Sequence, residues 1–121
     1  MLYNIKGTEV DVSNELRSYV ERKLASLDKF VSNKDIVRVD IELEYKESEE
    51  RQYRAEFMLH DPELSGAVRA EAAGFKLHEA IDITVAEMFQ ELTRSKKKRL
   101  QVLRRTAVKV KEYLRGWRSS I

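Results

Sequence analysis

The hydrophobic and polar positions of this 121-residue chain follow two different periods, which predict both strands and helices. Strict alternation predicts strands, because successive side chains of a strand point to opposite faces of a sheet. Alternating segments occupy residues 2–7, 37–46, 53–60 and 68–74. The acidic run at 47–50 predicts a hairpin loop, and the Asp-Pro-Glu sequence that follows the third segment has the composition of a turn.

Apolar residues spaced three and four apart predict two helices. The first covers residues 14–30, with Ser13 as its N-cap and Asn33 as a stop signal near its end. The second begins at residue 75, and its apolar stripe is expected to cover one face of the sheet. That stripe consists of Leu77, Ala80, Ile81, Thr84, Val85, Met88 and Leu92.

The second helix has no Pro or Gly between residues 75 and 116, so nothing in its sequence ends it early. An unbroken helix over 75–115 would be about 60 Å long, twice the roughly 30 Å diameter of a domain of this size. The helix is therefore expected either to project from the domain or to bend near residues 94–99. Its apolar stripe lapses after residue 92 and resumes with heptad-like spacing at Leu100, Leu103, Ala107, Val110, Leu114 and Trp117.

The order β-α-β-β-β-α predicts an α+β fold, a two-layer sandwich with a four-stranded sheet and two helices on one face. The second helix is expected to be extended at its C-terminal end. The outer face of the sheet carries Asp40, Glu42, Glu44 and Glu56, so it is expected to be mostly acidic. A nucleic acid should therefore meet the helix side, which argues against an RNA reader that stacks bases on an open sheet.

Basic residues are concentrated near the end of the chain. Residues 94–118 hold eleven Lys and Arg against one acid, Glu112, and so carry a formal charge of +10, whereas residues 1–93 carry −8. Clustered Lys and Arg displace condensed counterions from phosphates, so a polyanion is the expected partner, with RNA first and DNA not expected. A solvated helix end is the alternative interpretation, since cations also interact favourably with the helix dipole there.

Several classes of function are not supported by the residues. The chain has no cysteine, and His60 and His78 share no metal-ligand spacing. A phosphate-binding loop and a nucleophile elbow are absent, so an enzyme, a catalytic residue, a cofactor and a metal are not expected. No apolar run approaches the roughly 18 residues that span a bilayer, and the N-terminus lacks a secretory pattern, so the cytosol is expected.

Short motifs in a fixed order add a resemblance to a known family. They are Ile5-x-Gly7; Leu16-Arg17-x-Tyr19-Val20-x-x-Lys23-Leu24-x-x-Leu27; Ala70-x-Ala72-x-Gly74; Ala80-Ile81-Asp82; and Leu92-Thr93-Arg94-x-Lys96-x-Lys98. On these motifs, residues 2–99 resemble the ribosome hibernation-promoting factors, also called ribosome-associated inhibitor A, in their short form. Glu87 and Gln90 stand where basic residues are common in the family.

The resemblance implies a protein that binds the small ribosomal subunit between head and body, in the channel for mRNA and tRNA. Such binding blocks translation by occupancy and preserves idle ribosomes during stress or stationary phase. Residues 1–99 would form the ribosome-binding domain and residues 100–121 a basic amphipathic extension. The second domain of long family members, which pairs ribosomes, is not expected here. The implied rRNA contacts are Arg17, Arg22, Lys23, Lys29, Arg94, Lys96, Lys97, Lys98 and Arg99.

The role of the stripe over residues 100–117 stays open. The segment could fold back on the domain, self-associate with a second chain or lie in an rRNA groove, and a membrane surface is less favoured. In the membrane case Trp117 would be an interfacial anchor, and otherwise a packing residue. Two other functions therefore remain: an interaction protein that dimerises through its helical tail, and a generic module for double-stranded RNA. Asp82 is expected to form an ion pair or a helix cap.

Overall fold

Four strands and two long helices follow one another in the expected order β-α-β-β-β-α. The computed structural model describes residues 1–64 and 66–119, without the side chains of residues 113 and 116–119. The elements are β1 (Leu2–Thr8), α1 (Asn14–Ala25), β2 (Arg38–Tyr45), β3 (Tyr53–His60), β4 (Ala67–Gly74) and α2 (Leu77–Ser119).

The strands form one mixed sheet in the order β1-β2-β3-β4. β1 is parallel to β2, because the chain crosses over through α1 between them, whereas the hairpins β2–β3 and β3–β4 are antiparallel. The predicted alternation is confirmed, since every second residue of the inner strands is buried. The buried residues of β2 and β3 are Val39, Ile41, Leu43, Ala55, Phe57 and Leu59, and the edge strand β4 adds Val68, Ala70 and Gly74.

Both helices lie on one face of this sheet, as expected for a two-layer α+β sandwich. α2 packs on β3 and β4, and α1 lies beside α2 with Leu16, Val20 and Leu24 in the common core. The buried Thr84 hydroxyl of α2 lies 2.7 Å from the carbonyl oxygen of Ala80 and 3.2 Å from that of Ala55 in β3. A polar group inside the core is thereby satisfied, and it links the two layers.

The first helix is shorter than the predicted span of 14–30. Ser13 caps its start, with Oγ accepting from the backbone N–H of Leu16 at 3.1 Å, as predicted. The helix ends at Ala25, where the Ser26 hydroxyl donates to the carbonyl oxygen of Lys23 at 2.5 Å, and the chain continues in a separate 3₁₀ turn over Asp28–Phe30. The stop signal assigned to Asn33 is also wrong, since its side chain instead caps a second 3₁₀ turn, Lys34–Ile36.

Position 7 requires a glycine because the chain folds closely over it after β1. A Cβ on Gly7 would lie 2.3 Å from the carbonyl oxygen of Val10, well inside van der Waals contact. The Ile5-x-Gly7 motif thus has a steric basis in the turn that leads from β1 toward α1.

The second helix is continuous from Leu77 to Ser119, without a break at residues 94–99, and its exposed C-terminal part projects from the domain. Its 43 residues span about 65 Å at 1.5 Å per residue. Burial ends at Leu92, and every described side chain beyond residue 95 is exposed, which excludes folding back on the domain for the described part. The interpretations of Trp117 concern a side chain outside the described residues.

Candidate RNA-binding surface

An open groove runs between α1 and α2 and gathers three of the nine basic residues implied as rRNA contacts. It is called the α1–α2 groove below. Arg22 and Lys23 line it, and Lys29 extends over the ring of Phe89, which lines it from α2. Its other lining residues are Tyr19, Ser26, Asp82, Val85 and Ala86.

Asp82 fixes the position of Lys23 in this groove. Lys23 Nζ lies 3.0 Å from Asp82 Oδ1, and the Tyr19 hydroxyl donates to the same carboxylate. Burial alone would raise the pKa of Asp82, but the Tyr19 hydroxyl and the Lys23 ammonium outweigh it and hold this pKa below its usual value. The hydrogen bond to Asp82 in turn raises the pKa of Lys23, so the cation stays protonated. The expected ion-pair role of Asp82 is therefore confirmed.

Replacing Asp82 by Asn should destabilise the domain by roughly 0.5–1 kcal/mol at neutral pH, the size of a solvent-screened pair. Because the folded-state pKa is depressed, the carboxylate stabilises the fold above the unfolded-state value of about 3.9, and this contribution is lost as the pH falls through the folded-state pKa. Urea denaturation of both proteins between pH 7 and pH 3 measures the difference. If the difference in free energy of unfolding between the two proteins grows as the pH falls, this role is contradicted.

Aromatic rings hold the other two cations of the groove. Lys29 Nζ lies 4.8 Å from the ring centre of Phe89 and 5.4 Å from that of Phe30, and these two rings pack edge to face. The Arg22 guanidinium lies 5.6 Å from the ring centre of Tyr19. A ring face attracts a cation without neutralising it, so both charges remain available to a phosphate.

Arg17 lies on another side of α1. Its guanidinium interacts with the hydroxyl of Tyr3 in β1, and that hydroxyl also donates to Glu21. Arg17 is six positions before Lys23, about 120° away around the helix. The structure thus does not bring Arg17 together with the cations of the groove.

The five basic residues at 94–99 surround α2, because consecutive residues are about 100° apart. Arg94 forms an ion pair with Glu91 at 3.1 Å, and Arg99 lies 3.9 Å from Glu63 in the turn after β3. Among the described residues, Lys96, Lys97 and Lys98 have no acidic side chain within ion-pair distance. These three lysines are therefore the cations of the cluster with uncompensated charge.

The opposite side of α2 has a different charge. A second groove, called the α2–β4 groove, is lined by Arg69, Ala70, Glu71, Glu87, Gln90 and Glu91. The two departures from the family pattern, Glu87 and Gln90, thus lie beside β4 and not beside α1. Three acids against one cation make this groove unfavourable for a phosphate backbone.

The outer face of the sheet is an ion-pair network in which acids and cations alternate. The four predicted acids do lie on this face, but Arg54 and Arg69 lie among them and pair with Glu56 and Glu71. The hydrogen bond from Arg69 holds the pKa of Glu56 below its usual value. The expected acids therefore lie on this face, but the face is not mostly acidic in net charge, because the two arginines compensate much of the negative charge.

Metal and membrane chemistry have no visible basis in the described part of the chain. Groups of three or more His, Cys, Asp or Glu that could hold a metal ion are absent from it. His60 lies 3.1 Å from Asp40, and the ring of His78 packs edge-on against Tyr19. None of the described helices has the length and apolarity needed to cross a bilayer.

The cation–π contacts of Lys29 with Phe30 and Phe89 could not be predicted from the sequence. Phe30 and Phe89 are separated by most of the domain in sequence and meet only after α1 and α2 pack side by side. Tyr19 and Asp82 each occur in a family motif, but their contact spans 63 positions. The one sequence signal for this contact is that Tyr19 and Asp82 lie at the edges of the apolar stripes of α1 and α2.

Comparison with known protein families finds a match over most of the chain. The family described as "Sigma 54 modulation protein / S30EA ribosomal protein" matches residues 3–100. A ribosome hibernation promotion factor from Deinococcus radiodurans is 33% identical over 81 residues, which cover 67% of this chain and 41% of that protein. The protein of the same name from Bacillus subtilis is 26% identical over 98 residues, covering 81% and 50%. The chain thus spans half or less of the length of these relatives.

Solved structures share the fold. The N-terminal domain of Thermus thermophilus Protein Y matches with a TM-score of 0.65 at 28% identity, covering 77% of this chain and 96% of that one. A ribosomal subunit interface protein from Coxiella burnetii has the same TM-score at 18% identity, covering 80% and 99%. At that identity the second likeness concerns the fold alone.

Proposed function

The chain belongs to the sigma 54 modulation protein / S30EA ribosomal protein family, and on that premise we propose that it binds the small ribosomal subunit and silences translation. It occupies the channel for mRNA and tRNA between head and body, as a non-enzymatic factor in the cytosol. Blocking by occupancy preserves idle ribosomes under stress or in stationary phase. Two relatives that carry the name ribosome hibernation promotion factor support this proposal.

The observation that carries the proposal is the uneven charge across α2. On the α1 side, Arg22, Lys23 and Lys29 meet at an open groove, whereas the β4 side is acidic. Folded rRNA presents phosphates in a fixed shape, and a one-sided cationic groove of this kind suits a phosphate backbone. Base-specific reading is not expected, because contacts to the shape and the phosphate backbone of the RNA would dominate.

In this proposal residues 1–99 are the ribosome-binding part and residues 100–121 an extension. The groove cations and Arg94, Lys96, Lys97, Lys98 and Arg99 contact the rRNA from two adjoining helices. Arg17 contributes a contact from the far side of α1. Lys23 contacts RNA as a fixed cation, since Asp82 holds its ammonium in place.

Pelleting through a sucrose cushion with purified small and large subunits tests the proposal. The protein should pellet with small subunits, and the logarithm of the binding constant should fall linearly with the logarithm of salt concentration. Binding to the large subunit alone, or equal binding to any RNA duplex, would overturn it. The second result would identify a generic double-stranded-RNA module.

The exposed heptad-like stripe favours one other candidate, a protein that dimerises through its helical tail. Leu103 and Val110 are 55% and 52% exposed, which is unusual for large apolar side chains at regular spacing. Sedimentation equilibrium of the free protein separates the two functions. The dimer function is favoured if the wild type forms a stable dimer, if Leu103→Lys and Val110→Lys abolish that dimer, and if ribosome binding stays unchanged in these variants.

A further inference from the structure

The projecting part of α2 keeps the two sides that α2 has within the domain. Since an α-helix has about 3.6 residues per turn, residues 18 positions apart lie on the same line along it, about five turns and 27 Å apart. Arg104 therefore lies on the line of Ala86, which lines the α1–α2 groove. Lys111 lies on the line of Thr93, one turn beyond Phe89 of that groove. Both cations are on the α1 side.

Two other cations of the projecting part lie on the opposite side. Arg105 is on the line of Glu87, and Lys109 is on the line of Glu91. Both of these acids line the α2–β4 groove. The pair Arg105 and Lys109 thus matches the first pair in residue types, exposure and net charge, and differs in the side of the helix.

The apolar stripe lies between these two rows. Leu103 is on the line of Val85 and Val110 on the line of Leu92, both of which face the sheet. By the same arithmetic Leu100 and Ala107 lie on the lines of Asp82 and Phe89, which line the α1–α2 groove, so an RNA on the α1 side would cover that edge of the stripe and leave Leu103 and Val110 uncovered. The sheet-facing edge of the stripe is thus separate from the row of Arg104 and Lys111.

We infer that RNA bound in the α1–α2 groove continues along the α1 side of the projecting helix, with Arg104 and Lys111 as further phosphate contacts. The inference rests on the proposed function and adds a site beyond residue 99. A backbone that leaves the groove past Phe89 meets Lys97, Arg104 and Lys111 in turn, at intervals of about 10.5 Å. On the other side it would first have to pass Glu87 and Glu91.

The electrostatic reason for this path is that Glu87 and Glu91 lie on the other side of α2, in the α2–β4 groove. Among the described residues, neither Arg104 nor Lys111 has an acidic side chain within ion-pair distance, and both are exposed. Each can release a condensed counterion when it meets a phosphate. The salt exponent is the slope of the logarithm of the binding constant against the logarithm of salt concentration, and removing one such contact should reduce its magnitude by about 0.7–0.9.

Two matched double variants of the full chain test the inference. R104Q/K111Q removes the α1-side pair, and R105Q/K109Q removes the β4-side pair with the same change in charge. Gln is a good helix former, so circular dichroism should show equal helix content in both. Binding to purified small subunits is then measured over a series of salt concentrations.

R104Q/K111Q should bind on the order of tenfold more weakly, with a salt exponent reduced by about 1.4–1.8, which corresponds to two lost phosphate contacts. R105Q/K109Q should change affinity by less than about twofold. Equal losses for both pairs would overturn the one-sided path, and no loss for either would overturn the contact itself. With either result, binding of the wild-type protein to small subunits would still support the proposed function. If the wild-type protein does not bind, the proposed function and this inference are both rejected.

Discussion

A protein with Lys96, Lys97 and Lys98 all replaced by Glu should no longer pellet with small ribosomal subunits. The three exchanges change the formal charge by six units where α2 leaves the domain, at the only cations of the 94–99 cluster that lack an acidic partner among the described residues. Lost phosphate contacts and new repulsion together should lower affinity at least about a hundredfold at moderate salt. The measurement is pelleting through a sucrose cushion.

The fold should survive these exchanges, because all three side chains are exposed on a helix that has already left the core. A control with the same change in charge reverses Lys46, Arg51 and Lys76, which are exposed near the start of α2; unlike the three lysines, Lys46 also pairs with Glu44 at 3.6 Å. The control should still bind small subunits. Equal loss in both variants would show that net charge alone determines binding, and unchanged binding of the first would refute the assignment of the cluster.

Two leucines on the same helix should differ greatly in their effect on stability. Leu92→Ala should lower the free energy of unfolding by about 2–5 kcal/mol, because its side chain is only 1% exposed and its removal leaves a cavity. Leu103→Ala should lower it by less than about 0.5 kcal/mol, because that side chain is 55% exposed. Urea denaturation followed by circular dichroism measures both.

The two leucines are eleven positions apart and lie on nearly the same face of α2, so helix propensity affects both alike. The comparison therefore isolates packing. A loss for Leu103→Ala close to that for Leu92→Ala would mean that the projecting helix is packed against something, in this chain or in a second copy. Such a result would contradict the exposed extension described above.

The sheet and its core could be predicted from the sequence because one face of the sheet is exposed to solvent, so that apolar and polar residues alternate along its strands. In β2 and β3 every second residue is apolar, and a shift by one position would turn Phe57 and Leu43 toward solvent. The parallel pairing of β1 with β2 could not be read in this way, since a period of two carries no strand direction. It follows from the crossover through α1.

The end of the first helix was misplaced for a local reason. Leu27 and Val31 continue the helical spacing and are buried, yet they belong to the 3₁₀ turn and its flanks. Periodicity reports which side chains are buried, and it does not distinguish a helix from a turn that keeps burying the same face. The Ser26 hydroxyl donates to the carbonyl oxygen of Lys23 where the helix ends, and the chain then continues in the 3₁₀ turn.

The cations of the candidate surface were visible in the sequence, but their grouping was not. Helical arithmetic alone separates Arg17 from Lys23, whereas the contact of Lys23 with Asp82 depends on how α1 packs against α2. The compensation of the sheet face by Arg54 and Arg69 depends on strand register in the same way. Residue types gave the expected partner, and the three-dimensional arrangement gave the side on which it should bind.

Chemical footprinting of the rRNA in intact small subunits tests the central claim most directly. With the protein bound, rRNA positions lining the channel between head and body should be protected where mRNA and the A- and P-site tRNAs lie. The same positions should regain reactivity when the salt concentration is raised enough to release the protein. Protection confined to other surfaces of the subunit, or none at all in that channel, would contradict the account.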